Sequence, residues 1–165
     1  MLEVALQRGR RAMNRRPVGA TGATGATGPV GLPDYGYIYN VAPQTVAIEA
    51  DVSFDSNGPV SGVVHTPGTS EIVVMRAGTY LVDFSVSGSE PDQFAVMVNG
   101  FAAAGSTYGA GAGTQQNNGD AILTLGAGAV LTLRNHSSAA AVTLASVVGG
   151  TQANVSASMV VERLG

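Results

Sequence analysis

Apolar and polar residues alternate along most of the chain after residue 34, with the two-residue period of a half-buried β-strand. Segment 79–87 shows the alternation clearly, because large apolar residues occupy every second position. Successive side chains of a strand point to opposite faces, so Tyr80, Val82, Phe84 and Val86 share one face. We expect that face to lie in the protein core.

Short segments of this kind follow one another to the end of the chain, and no helical 3.6-residue pattern interrupts them. This spacing is typical of an all-β sandwich or barrel with about eight to ten strands. The predicted strands are residues 35–41, 45–50, 59–65, 71–76, 79–87, 93–99, 121–125, 129–135, 142–148 and 156–164.

Turn signals separate these strands. Asn99-Gly100 has the composition of a two-residue hairpin turn, since both residues accept positive φ angles. Residues 56–59 and the pair Asn118-Gly119 are also interpreted as turns. The glycine-rich residues 105–113 are expected to form a mobile loop.

A strict three-residue glycine period precedes the predicted strands, in residues 19–33. Three polyproline-II chains can wind around one another only where every third residue is glycine, because the common axis has no room for a side chain. A flexible linker needs no such period. Five consecutive triplets therefore predict a short collagen-like stalk, in register on Gly19, Gly22, Gly25, Gly28 and Gly31.

The third position of the first three triplets is threonine, and it faces outward in a collagen triple helix. These residues are candidate O-glycosylation sites: Thr21, Thr24 and Thr27.

Positive charge is concentrated before the stalk. Five of the eight arginine and lysine residues fall within residues 1–16, whereas the remainder of the chain is mildly acidic. We expect residues 1–18 to form a basic, disordered lead, because Gly9 weakens an anchoring helix. No conventional export signal and no membrane-spanning apolar run is recognised in the chain.

Few residues carry reactive chemistry. The chain has no cysteine and two histidines, His65 and His136, which lie outside any ligand or triad spacing and are expected to face solvent. The group Asp51, Asp55 and Asn57 resembles part of a calcium loop but lacks its spacing. We therefore predict no enzyme, no cofactor and no metal site, and the lack of a basic stripe argues against a nucleic-acid partner.

Four segments of the chain resemble a known family: GLPDYGYIYN at residues 31–40, AGTYLVDF at 77–84, VMVNG at 96–100 and SMVVER at 158–163. Together with the stalk that precedes them, they are similar to the C-terminal domain of the collagen-like glycoproteins of the Bacillus exosporium. That domain belongs to the C1q/TNF-like superfamily. The resemblance covers roughly residues 19–165.

The resemblance implies a jelly-roll β-sandwich that assembles as a tight homotrimer at the tip of a surface filament. The domain organisation that follows is a lead at residues 1–18, a stalk at 19–33 and a head at 34–165. The leading hypothesis is a structural homotrimeric protein of the spore exosporium, whose partners are its own copies, other surface-layer proteins or host surface ligands.

Two alternatives share the stalk and the trimer. One is a C1q-like binding module that recognises a glycan or a host protein through loops such as residues 106–118. The other is the tip of a phage tail fibre. Only 12% of the residues are charged, about half the usual share. A surface so poor in charge is covered by small polar residues, by sugar or by another subunit, which is a first indication of assembly.

Overall fold

A computed structural model describes residues 34–165 of the protein. These residues form twelve β-strands and contain no helix. The strands are β1 Tyr35–Asn40, β2 Gln44–Val46, β3 Ser56–Ser61, β4 Val63–His65, β5 Ile72–Val74, β6 Gly78–Val86, β7 Asp92–Val98, β8 Phe101–Ala110, β9 Asn117–Leu125, β10 Val130–Asn135, β11 Val142–Leu144 and β12 Ala157–Arg163.

The strands are arranged as a sandwich of two five-stranded sheets. The first sheet has the order β3-β1-β12-β6-β9 and the second has the order β4-β5-β10-β7-β8, while β11 and β2 form a small third sheet. All paired strands are antiparallel. The first strand pairs with the last, which is the non-sequential pairing of a jelly roll. The predicted all-β jelly-roll sandwich is confirmed.

The core lies between the two large sheets. Tyr80, Val82, Phe84 and Val86 are buried there, as the alternation of segment 79–87 predicts. Each side chain of this size contributes about 1.5–3 kcal/mol when fully buried. The second sheet faces them with Ile72, Val74, Phe94, Val96, Leu131 and Leu133.

The chain passes from the first sheet to the second at Gly62, a corner that the sequence pattern did not indicate. The prediction of one strand over residues 59–65 is wrong, because β3 ends at Ser61 and β4 begins in the other sheet at Val63. Gly62 has a φ of 65°, in the left-handed region that favours glycine. The predicted turn at residues 56–59 belongs instead to β3, an edge strand, where Pro59 removes no ladder hydrogen bond.

Two further predictions of loops are also wrong. Residues 105–110 continue β8, and Asn118-Gly119 lies inside β9. Glycine in a strand often marks a close approach of other groups. A Cβ atom on Gly119 would collide with the rings of Phe84 and Tyr108, which pack edge to face there with centroids 5.9 Å apart.

The hairpin turn at Asn99-Gly100 is confirmed. It joins β7 to β8, and its φ angles are 50° and 86°, both in the left-handed region that such a turn requires. The Asn99 side chain also accepts a hydrogen bond from the Val130 amide at 2.9 Å, which ties the turn to β10.

Candidate functional site

The outward side of the first sheet carries aromatic and aliphatic side chains where a solvated sheet would carry polar ones. We call this surface the tyrosine face. It is formed by Tyr35, Tyr37 and Tyr39 of β1, Val160 of β12, Leu81 of β6 and Ile122 of β9.

The strand register explains how this face is assembled. Tyr35, Glu162, Leu81 and Ile122 lie in one row across four neighbouring strands. Tyr37 and Tyr39 stack on the same strand with ring centroids 5.1 Å apart. Ile122 is 66% exposed, which is unusual for an isoleucine in the middle of a strand. Large apolar side chains exposed together on one sheet face make it a candidate interaction surface.

Three carboxylates interrupt the tyrosine face: Glu162 of β12, Asp83 of β6 and Asp120 of β9. Asp83 of β6 lies directly opposite Asp120 of β9 in the strand register, and no arginine is paired with either in residues 34–165. Burial, followed by the charges of Asp120 and Glu162, raises the pKa of Asp83. Like charges opposite one another destabilise a sheet, so this face carries an electrostatic cost at neutral pH.

A buried ion-pair cluster lies where the described chain begins. The carboxylate of Asp34 has no exposed side-chain surface, and its Oδ1 accepts a 2.6 Å hydrogen bond from Arg76. The Nε of Arg163 lies 3.9 Å from its Oδ2. A Cβ on Gly62 would collide with this carboxylate, so the sheet-switching corner and the ion pair depend on one another. We call this end of the sandwich the Asp34 end.

A cleft of about 600 Å³ lies at the opposite end of the sandwich, and we call it the tip cleft. Its walls come from three loops, one after β6, one before β9 and one before β12. Its lining residues include no ionisable side chain: Ser87, Gly88, Ser89, Gly113, Thr114, Gln115, Gln116, Ala145, Val148, Asn154 and Val155. Sequence reasoning did not identify the part of this site contributed by residues 145–155. It predicted a strand over residues 142–148, but β11 ends at Leu144 and the chain continues as a loop.

Asp51, Asp55 and Asn57, the group that resembles part of a calcium loop without its spacing, have separate structural roles. Asp51 pairs with Arg134 at 2.7 Å, and the Asn57 side chain bonds to His65. Burial acts to raise the pKa of Asp55, but hydrogen bonds from Ser56 and from backbone amides outweigh it and hold that pKa below its usual value. Within residues 34–165, no group of three or more histidine, cysteine or acidic residues could hold a metal ion.

The two histidines differ in their surroundings. His65 is buried, so its predicted solvent exposure is wrong: its two ring nitrogens contact Asn57 Oδ1 at 2.5 Å and the Thr69 carbonyl at 3.1 Å. His136 is partly exposed and pairs with Glu49 at 2.9 Å. That hydrogen bond, together with one from the Ser137 amide, lowers the pKa of Glu49. Each histidine thus stabilises a loop.

The collagen-like register and the candidate glycosylation sites lie outside the described residues. They are Gly19, Gly22, Gly25, Gly28 and Gly31, with Thr21, Thr24 and Thr27. Their roles stay predictions. Within residues 34–165, no helix is long and apolar enough to span a bilayer.

Comparison with solved structures defines the class of this head. It is similar to the "Globular Domain of Zebrafish Complement 1qA protein", with a TM-score of 0.62, 12% identity, and coverage of 81% of this chain and 98% of that one. It is also similar to "Eiger TNF from S. frugiperda", with a TM-score of 0.59, 13% identity, and coverage of 81% and 93%. The described residues therefore have the jelly-roll fold of C1q and TNF domains.

The family of the chain follows from its sequence. The family model of the BclA C-terminal domain matches residues 36–164, and the chain belongs to that family. The resemblance inferred above from four segments is thereby confirmed. No curated protein matches the chain.

Proposed function

We propose that this protein is a structural, non-enzymatic homotrimer of the spore exosporium, in which the head joins three chains and presents them at the outer surface. The observation that carries the proposal is the tyrosine face. In an antiparallel sheet with one solvated side, that side is ordinarily polar. Here tyrosine, leucine, isoleucine and valine lie on it among polar residues.

Burial against other copies accounts for this face better than exposure to water. Interface cores are enriched in tyrosine. This surface carries three of the five tyrosines of the chain, beside three carboxylates. Association of copies through this face would remove it from water.

Three is the copy number favoured by two independent lines of reasoning. The C1q/TNF-like resemblance implies a trimer, and a glycine at every third position fits a triple helix. The domain organisation we propose is a basic lead at residues 1–18, a collagen-like stalk at 19–33 and a head at 34–165. Since the head begins at Asp34, a symmetric trimer would bring three stalks to the same end and hold them in register.

Its partners are proposed to be its own copies, other surface-layer proteins and surfaces outside the spore. Membership of the BclA C-terminal domain family supports this location. O-glycans on Thr21, Thr24 and Thr27 would add hydrophilic cover to the stalk. Mass spectrometry of the protein recovered from its native surface tests that modification.

The experiment that tests the trimer is the solution mass of the full chain by light scattering after size exclusion, at micromolar concentration and on dilution. We expect three chains. Ile122→Asp places a charge in the tyrosine face and is expected to yield monomers. The matched control is Val64→Asp, because Val64 is 50% exposed and lies on an edge strand of the second sheet.

A monomeric wild-type chain, or equal dissociation by Val64→Asp and Ile122→Asp, would contradict the proposed interface. Circular dichroism of the wild-type chain extends the test to the stalk. A positive circular-dichroism band typical of polyproline II, lost on heating at a different temperature from the β-sheet signal, would support the triple helix. If the chain is a trimer but lacks this band, residues 19–33 are a linker and not a triple helix.

A further inference from the structure

The tip cleft lies at the end of the sandwich opposite Asp34, the first described residue. In the first sheet, Asp34 and the start of β1 lie at one end, whereas Val86 and Asn117 lie at the other. Ser87 and Gln116 directly follow and precede those residues and line the cleft. The cleft is therefore at the end of the sandwich farthest from Asp34.

The walls of the cleft are held by specific contacts. Gly113 approaches the Ser89 backbone so closely that a Cβ atom would collide with it. Ser89 donates from both its amide and its hydroxyl to the Thr143 carbonyl at 3.0 Å. Asn154 accepts a 2.9 Å hydrogen bond from the Val148 amide and donates to the Ala145 carbonyl at 3.3 Å, which folds the third loop over the cleft.

The chemistry of the lining is hydroxyl and amide groups beside an aliphatic wall. Ser87, Thr114, Gln115 and Gln116 supply uncharged donors and acceptors, and Gln116 bonds weakly to Ser87 at 3.4 Å. Val148 and Val155 provide exposed apolar surface next to them. Groups of both kinds suit a ligand with hydroxyls around its edge and carbon–hydrogen bonds on its face.

Two other clefts in residues 34–165 differ from the tip cleft in charge and position. One, of about 360 Å³, lies on the tyrosine face between Asp83 and Asp120 and would be covered in the proposed trimer. The other, of about 510 Å³, contains the carboxylate of Asp92, which Asn117 already engages at 2.8 Å. The tip cleft alone among these three has an uncharged lining outside the tyrosine face.

We propose that the tip cleft is a binding site for a neutral carbohydrate. Its volume lies within the range of small-molecule sites, roughly 300–1,000 Å³. An acidic sugar would find no cation among the lining residues to compensate its charge, and a wholly apolar ligand would leave the hydroxyl and amide groups unpaired. A neutral sugar satisfies both the polar groups and the valine wall.

The test uses the full-length chain and saturation-transfer difference NMR, with lactose, maltotriose and N,N′,N″-triacetylchitotriose as neutral probes. The acidic probe is 3′-sialyllactose, which differs from lactose by one charged residue. We expect at least one neutral probe to bind, and 3′-sialyllactose to bind no better than lactose. Absence of binding by all neutral probes, or preferential binding of the acidic one, would overturn the proposal.

Paired variants locate the site. Thr114→Val with Gln115→Ala removes two polar groups of the cleft and is expected to weaken binding at least tenfold. The control, Thr107→Val with Gln93→Ala, makes the same changes on exposed strand positions outside the cleft and is expected to leave affinity within twofold. Equal losses in both double variants would contradict the assignment.

This inference is independent of the proposed trimer, because each cleft is formed within one head. Light scattering on the same samples separates the two ideas. A monomer that binds the sugar would refute the assembly and retain the site. A trimer that binds no neutral sugar would refute the site and retain the assembly.

Discussion

The two ends of the sandwich are built on opposite principles. At the Asp34 end, a fully buried carboxylate is met by two arginines, and a glycine corner leaves no space around it. At the tip cleft, loops of small residues enclose about 600 Å³, and uncharged side chains point into it. Both ends cap the same two sheets, so their differences come from the loops rather than from the strands.

The comparison separates a structural role from a recognition role. Burying a charge costs free energy unless the charge is paired. The Asp34 cluster therefore requires a fixed chain geometry at the Asp34 end. Hydroxyl and amide groups in an open cleft keep their hydrogen bonds with water until a ligand replaces it. The buried ion pair at the Asp34 end resists rearrangement, whereas the polar groups of the tip cleft can exchange water for a ligand.

The largest effect is expected from Arg76→Ala at the Asp34 end. Removal of the guanidinium leaves the buried Asp34 carboxylate with Arg163 alone, whose nearest nitrogen is 3.9 Å away. Breaking one partner of a buried pair costs about 3–5 kcal/mol, and the 52% exposure of Arg76 places the expected loss at the lower end, ~3 kcal/mol. Unfolding in guanidinium chloride measures this loss of stability.

Arg76→Lys serves as the control, since it retains the charge and should recover part of the loss. A destabilisation by Arg76→Ala below about 1 kcal/mol, the range of exposed ion pairs, would show that the Asp34 end is not held by this contact.

A smaller effect is expected from Gly113→Ala at the tip cleft. The added Cβ would collide with the Ser89 backbone, and overpacking of this kind costs about 1–3 kcal/mol. Gly111→Ala is the matched control, because a Cβ there meets nothing within 4 Å. Thermal unfolding should distinguish the two variants. Equal melting temperatures would indicate that the loops yield and that the cleft has no fixed wall.

Asp83→Asn is expected to stabilise the protein at pH 7 by less than about 1 kcal/mol, the size of a like-charge cross-strand pair. Burial and neighbouring charges raise the pKa of Asp83 in the folded state. Its favourable contribution to the free energy of unfolding is therefore complete below its unfolded-state pKa of 3.8. That contribution is lost as the pH rises through the raised folded value. The gain from the variant should therefore disappear near pH 3.

Asp51→Asn is the control for that experiment, since Asp51 is paired with Arg134. It should reduce stability at pH 7 where Asp83→Asn increases it. Urea unfolding at both pH values, at one protein concentration, measures the two variants. A loss of stability in Asp83→Asn at pH 7 would refute the repulsion between Asp83 and Asp120.

The smallest effect is expected at Glu49, on the loop beside His136. Hydrogen bonds from His136 and Ser137 lower the pKa of Glu49, so its contribution is present above the unfolded value of 4.5. It is lost as the pH falls through the lowered folded value. Glu49→Gln should slightly decrease the melting temperature at pH 7 and leave it unchanged at the acidic end. A pH-independent decrease would mean that the carboxylate charge contributes nothing.

Much of the fold could be predicted from local patterns. The alternation at Tyr80, Val82, Phe84 and Val86 identified a core face because one side of an antiparallel sheet must be buried. The Asn99-Gly100 turn was recognisable because few residue pairs tolerate its backbone angles. In both cases the signal is carried by neighbours in the chain.

Predictions failed where the partner of a segment is distant in sequence. Residues 105–110 have the composition of a loop, yet β7 supplies the hydrogen-bond ladder that holds them as a strand. His65 was expected to face solvent, but Asn57 and Thr69 meet its two ring nitrogens and make its burial tolerable. Neither partner is visible in a local window.

The sequence by itself determined the all-β class, the family and the three-residue glycine period, since each depends on order and spacing along the chain. Only the tertiary structure decided that Asp34, Gly62, Arg76 and Arg163 meet at one end, and that three loops enclose a cleft at the other. These groups are far apart in the chain. Their meeting depends on strand order and register, which the burial of the whole core selects.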